Sequence, residues 1–139
     1  MAILVDSSVW IDFLSSTRSS HQAALNQLLH LPNAVGLPGP VLQEVLQGIR
    51  EDTAFRRVSE DLGRFPIVHA DTETYLMAAR LYRTLAAHGE TVPPGDVTIA
   101  TLAIQHGYRL YTLDRKHFDR IAKRSSLRFY QPVLEPDTT

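Results

Sequence analysis

The chain contains no cysteine, which excludes a disulfide framework, a thiolate nucleophile and any zinc–thiolate site. Surplus charge of either sign is missing too. The formal net charge is −1, so a basic surface for nucleic acid would have to be local. No apolar run approaches the roughly 18 residues that a membrane-spanning helix needs. No basic segment followed by an apolar stretch opens the sequence. The expected setting is reducing and cytoplasmic. Neither a Walker motif nor GxGxxG is present, which removes the nucleotide-binding patterns. The histidines, at positions 21, 30, 69, 88, 106 and 117, show no HExxH or comparable spacing, so each is read as a surface or packing residue.

The composition is that of an ordinary soluble protein, 44% hydrophobic and 21% charged over 139 residues. That length suits one well-buried core, since domains commonly run to roughly 100–150 residues. Repeats, low-complexity segments and dividing linkers are lacking, so a single domain over residues 1–134 is expected, with 135–139 as a loose tail.

The chain is organised around Ala2-Ile3-Leu4-Val5-Asp6-Ser7-Ser8. Four consecutive apolar residues make a short strand buried on both faces, as a parallel sheet requires. An acid and two hydroxyls end it and open a helical pattern at Val9, Trp10, Phe13 and Leu14, for which Ser7 or Ser8 is a candidate cap. Trp10 and Phe13 fall at core spacing and are read as packing residues. A polar turn covers 15–20 and a helix about 21–31, before a second strand at 34–37. Gly39-Pro40 opens the next helix, followed by another over 52–62 and a weak strand at 66–68. The longest helix spans 72–88. After Val92-Pro93-Pro94-Gly95, Asp96 is expected to cap a helix ending at His106-Gly107. A strand at 110–113, a helix at 115–123 and a last strand at 127–129 complete the chain. Strands alternating with helices predict an α/β fold, a three-layer α/β/α sandwich with a mostly parallel sheet of about four or five short strands.

In such a sheet each helix runs antiparallel to its strand, so strand C-termini and helix N-termini share one edge, where ligands bind. Asp6 and Asp114 each end an apolar strand, and Asp96 begins the helix feeding the last long strand. Glu44 lies near the start of its helix. At about 100° per residue it falls roughly 130° from the centre of the stripe formed by residues 41, 42, 45, 46 and 49. Four carboxylates are thereby steered to one rim. Like charges this close disfavour one another's ionisation, and a hard divalent cation such as Mg²⁺, which prefers oxygen ligands, resolves the conflict. The α-helix dipole would favour ionised Asp96. Metal-assisted phosphodiester hydrolysis fits this set. Taken singly, Asp96 or Asp114 is equally well read as a helix cap and Glu44 as a solvated helix residue. Asp6 is the hardest to explain by folding alone.

On these residues the chain resembles the PIN-domain ribonucleases, in particular VapC-type toxins of toxin–antitoxin pairs. The resemblance rests on Ile3-Leu4-Val5-Asp6-Ser7-Ser8-Val9-Trp10-Ile11 and Val41-Leu42-Gln43-Glu44-Val45-Leu46-Gln47-Gly48. It continues through Asp96-Val97-Thr98-Ile99-Ala100 with Gly107 and ends with Leu110-Tyr111-Thr112-Leu113-Asp114 and His117-Phe118. It implies that Asp6, Glu44, Asp96 and Asp114 hold Mg²⁺ or Mn²⁺, and that single-stranded RNA is cut to leave 5′-phosphate and 3′-hydroxyl ends. Ser8 and Thr112 match the small hydroxyl positions beside the metal site. A homodimer and a cognate VapB-type antitoxin are the implied partners.

Arg115, Lys116, Arg120, Lys123 and Arg124 follow Asp114 and could form a phosphate-tracking rim or a solvated helix face. Two competing functions remain. A haloacid-dehalogenase-like phosphatase using Asp6 as nucleophile would want an acid two residues on, where Ser8 stands. A metal-holding, RNA-binding module without turnover is the other.

Overall fold

The computed structural model describes residues 2–15 and 19–134. The expected tail at 135–139, and residues 16–18 of the expected polar turn, lie outside the described residues. Apolar Ile3, Leu4 and Val5 form β1 (Ile3–Val5), buried on both faces. Around it follow α1 (Ser7–Leu14), α2 (Ser20–Leu29), β2 (Val35–Pro38), α3 (Gly39–Gln47), α4 (Asp52–Leu62), β3 (Ile67–Val68), α5 (Thr72–Ala87), α6 (Pro94–His106), β4 (Arg109–Tyr111) and α7 (Arg115–Lys123). The four strands line up in the order β3-β2-β1-β4 and every pairing is parallel, with Ile3 opposite both Val35 and Arg109 and with Leu37 opposite Ile67. Among the described residues no helix is long and apolar enough to cross a membrane.

The central position of β1 follows from its composition. A strand flanked by neighbours on both edges and helices on both faces has no polar surface to offer, and Leu4 and Val5 are fully buried. The same core takes up Trp10, which meets Phe13 edge-on and lies against Phe65, as the packing reading of Trp10 and Phe13 requires. Tyr111 joins α2 to β4 through a 2.7 Å hydrogen bond between its hydroxyl and His21 Nδ1, and burial pushes its phenol up to about 12.

Three boundaries differ from expectation for identifiable reasons. Strand β4 stops at Tyr111 rather than Leu113, because Thr112 leaves the sheet to bond the end of β1. The expected last strand at 127–129 contracts to one parallel bridge between Leu110 and Phe129. It is held by Leu110 N–H to the Arg128 carbonyl (2.9 Å) and Tyr130 N–H to the Leu110 carbonyl (2.8 Å). Pro132 lacks the N–H that a longer ladder would need. Helix α5 starts at Thr72 as expected but ends at Ala87, with His88 as its C-cap before Gly89; at its start Asp71 accepts from Thr74 N–H at 2.9 Å, and Thr74 Oγ1 accepts from Asp71 N–H at 3.1 Å, a reciprocal capping box.

Gly36 is required by close approach. A Cβ there would stand 2.9 Å from Val68 Cγ2, because β2 lies between β1 and β3 with no room above this position. Gly36→Ala is expected to lower unfolding stability by about 1–3 kcal/mol through overpacking, measurable as an earlier urea midpoint with an unchanged slope.

Candidate active site

Asp6 is the residue at which β1 becomes α1. Its backbone N–H donates to the Tyr111 carbonyl (2.9 Å), and its carbonyl accepts from Val9 and Trp10 N–H (3.1 and 3.3 Å). It therefore holds the N-cap position, but its carboxylate makes no cap bond. That carboxylate is turned elsewhere: Oδ2 accepts from Ser8 Oγ at 3.0 Å and from Thr112 Oγ1 at 2.9 Å. The residue is only 5% exposed. Neither Ser7 nor Ser8 caps α1; Ser8 serves Asp6 instead.

The two hydroxyls are themselves oriented from behind. Leu113 N–H donates to Ser8 Oγ (2.9 Å) and Asp114 N–H donates to Thr112 Oγ1 (3.0 Å). A hydroxyl has one proton to give. With both protons directed to Asp6, the 3.3 Å approach of Ser8 Oγ to Thr112 Oγ1 is a side-by-side contact. The chain of donors runs from the backbone of residues 113 and 114, through the hydroxyls, to Asp6 Oδ2. It fixes the start of α7, and with it Asp114, against the end of β1.

Asp114 is exposed and occupies the N-cap position of α7, again with no side-chain cap bond. Asp96 is not a cap at all. Pro93 holds that position, Pro94 is the first helical residue and Asp96 the third. Capping therefore explains none of the three aspartates. Glu44 is exposed on α3, whose Val41 and Val45 are buried, as the helical phase required. It borders a cleft of about 400 Å³ whose lining includes Ile11, Leu14, Ile49, Ala54 and Val58.

Electrostatics tie the four acids together. The Asp96 carboxyl is pushed up from 3.8 to about 6, first by burial and next by the charge of Asp6, with Asp114 and Glu44 adding to it and His117 opposing. The helix dipole at α6 was expected to favour ionised Asp96; burial and three neighbouring carboxylates outweigh it. Among the described residues, however, no three carboxylate or imidazole side chains stand close enough together to enclose an ion. An all-oxygen donor set around a carboxylate raised by its neighbours fits a hard divalent ion that keeps part of its water shell.

Two of the five residues of the expected basic rim are engaged within the chain, while Lys123 and Arg124 are exposed. Arg115 pairs with Asp119 at 2.9 Å and stacks its guanidinium 3.6 Å over Phe129, and Arg120 lies 3.5 Å from Glu90. Lys116 is exposed. The residue that sequence reasoning set aside is His117, whose charge reaches Asp96. Its position one turn into a helix that starts at Asp114 was the available signal.

At α1, α3, α4, α6 and α7 the cap residue makes no side-chain hydrogen bond to the first turn, whereas Ser19 and Asp71 do so at α2 and α5.

A doubly covered parallel sheet with acids collected at its strand ends defines a class, and a family model described as the PIN domain matches residues 3–124. The chain belongs to the PIN-domain family. More narrowly, it belongs with the VapC ribonucleases. Ribonuclease VapC11 of Mycobacterium tuberculosis is 31% identical over 90% of this chain and 95% of its own. Ribonuclease VapC1 of Methanocaldococcus jannaschii is 30% identical over 92% of this chain and 86% of its own. The fold is shared with VapBC2 of Rickettsia felis, solved bound to a promoter DNA fragment. That chain matches at a TM-score of 0.77 and 19% identity, over 94% of this chain and 98% of the other.

The raised Asp96 carboxyl has a stability consequence whose sign is definite. Unfolded, the group releases its proton near 3.8; folded and without metal, near 6. The native state thus binds the extra proton between these values, and stability falls as pH rises through them. Asp96→Asn is expected to raise the melting temperature in EDTA at about pH 7 and to leave it unchanged below the unfolded value. Equal shifts at both pH values would contradict the assignment.

Proposed function

We propose that this chain is a Mg²⁺- or Mn²⁺-dependent endoribonuclease acting as the toxin of a toxin–antitoxin pair. The observation that carries the proposal is a buried Asp6 held by Ser8 and Thr112 at a crevice where burial, and next the charges of Asp6, Asp114 and Glu44, raise Asp96. Asp6, Glu44, Asp96 and Asp114 would hold the ion. When bound, it supplies charge neutralisation and Lewis acidity toward the phosphodiester. Ser8 and Thr112 keep the Asp6 carboxylate in one orientation through Oδ2, so it enters the reaction without reorganising. Half-buried Asp96 brings its charge into a partly dehydrated site, where its attraction for a cation is stronger than in water. The products expected are 5′-phosphate and 3′-hydroxyl ends. A phosphatase that uses Asp6 as nucleophile is disfavoured, because Oδ2 is committed to two hydroxyls and position 8 supplies one of them.

The antitoxin is assigned to the cleft between α1, α3 and α4. Its apolar lining includes Ile11 and Leu14, 52% and 43% exposed. The solved VapBC complexes among its fold relatives support a partner of this kind. Exposed Tyr75, Leu76 and Tyr82 on α5 support pairing of two copies.

Asp6→Asn is expected to abolish Mg²⁺-dependent cleavage of single-stranded RNA with the circular dichroism spectrum unchanged; undiminished cleavage would overturn the proposal. Thr112→Val should cost about 10–100-fold and raise the metal concentration needed for half-activity, the usual effect of removing a group that orients a ligand. Ile11→Asp should prevent complex formation with a co-expressed antitoxin, read by gel filtration, while RNA cleavage by the free protein persists.

A further inference from the structure

The proposed ribonuclease function leaves one polar group at the crevice without a role, the imidazole of His117. It is the third residue of α7, as Asp96 is of α6. The two helices pack against each other with both N-termini at the strand-end edge. Phe118 and Ile121 anchor α7 in the core, 1% and 0% exposed, which leaves His117 half-buried beside them. Its Nδ1 is buried and has no hydrogen-bond partner.

An orphaned buried N–H is rarer and more costly than an orphaned acceptor. Whenever the ring carries a single proton, the buried Nδ1 is therefore the bare nitrogen and Nε2 holds the proton, and Nε2 is a donor in the doubly protonated ring as well. Nε2 is not among the buried unpartnered atoms, so it reaches solvent with its N–H to give. Side-chain donors at the crevice are few, and exposed Lys116 is one of them. The carboxylates have none, the Ser8 and Thr112 protons go to Asp6, and Arg115 and Arg120 are engaged with Asp119, Phe129 and Glu90. A phosphodiester drawn among these acids needs a donor for the oxygens that no cation neutralises.

We infer that His117 is a substrate-binding residue whose Nε2–H donates to a non-bridging phosphate oxygen of single-stranded RNA lying beside Asp96. The inference rests on the ribonuclease function proposed above. It distinguishes His117 from His21, His30 and His88, which bond the chain itself, from His106 at the other end of α6, and from His69, which follows β3 at the opposite side of the sheet from β4.

The test uses ¹⁵N-histidine-labelled protein and a single-stranded RNA oligonucleotide with Ca²⁺ in place of Mg²⁺, the RNA checked intact by gel. The Nε2 resonance of His117, assigned by its loss in His117→Gln, is expected to shift when RNA is added. His117→Ala should weaken RNA binding about tenfold by fluorescence anisotropy. His117→Gln, whose amide can donate from nearly the same place, should stay within about twofold of wild type. RNA that binds while the His117 resonance stays still, or that binds His117→Ala as tightly as wild type, overturns this inference alone. RNA that does not bind the wild-type protein overturns the ribonuclease function, and this inference with it. Should His117→Ala fail to fold, the resonance of the wild-type protein decides.

Discussion

A negative charge placed at the mouth of a buried strand has to be held by something, and here it is held by neutral hydroxyls. Ser8 and Thr112 bond Asp6 Oδ2 without cancelling its charge. An arginine in their place would neutralise Asp6 and relieve Asp96, and the site would then have little use for a cation. With hydroxyls the carboxylate is fixed in space and remains an anion. The same bonds join residues far apart in sequence, so the loop leaving β4 and the turn leaving β1 are positioned by one another. Much of the crevice geometry descends from that junction.

The second consequence is felt at Asp96. Its burial alone would raise its proton affinity, and three more carboxylates raise it further. The free protein therefore carries an electrostatic penalty at neutral pH that a bound cation would lift. This coupling makes metal affinity and folding stability parts of the same quantity.

The sheet, and the placing of acids at the ends of its strands, were legible because they depend on short-range facts. Apolar quartets stop at an acid, and helices begin where strands end. What was not legible depends on contacts across the chain. Asp96 looked like a cap because it follows Pro93-Pro94-Gly95, but the helix begins two residues earlier and the acid enters the first turn. The sign of its pKa shift turned on burial, which a dipole argument from sequence leaves out. Thr112 looked like a strand residue until its bond to Asp6 pulled it from the sheet. All of the basic rim looked available because Glu90 and Phe129, which engage Arg120 and Arg115, lie outside that helix. A lone histidine carries no periodic signal, so His117 emerged only when α6 and α7 were seen side by side.

The unbonded first turns of α1, α3, α6 and α7 show what this arrangement costs the fold. A capping side chain contributes about 1 kcal/mol, and at these helix starts that contribution is forgone. Asp6 and Asp114 stand in capping positions yet direct their carboxylates elsewhere. The amides they leave open are partly positive and sit at the edge where the anions gather, so they temper the mutual repulsion of the acids. A sequence selected for rigidity alone would close these helix ends with its aspartates. Here local folding strength has been exchanged for carboxylates that stay clear of the helix starts they occupy.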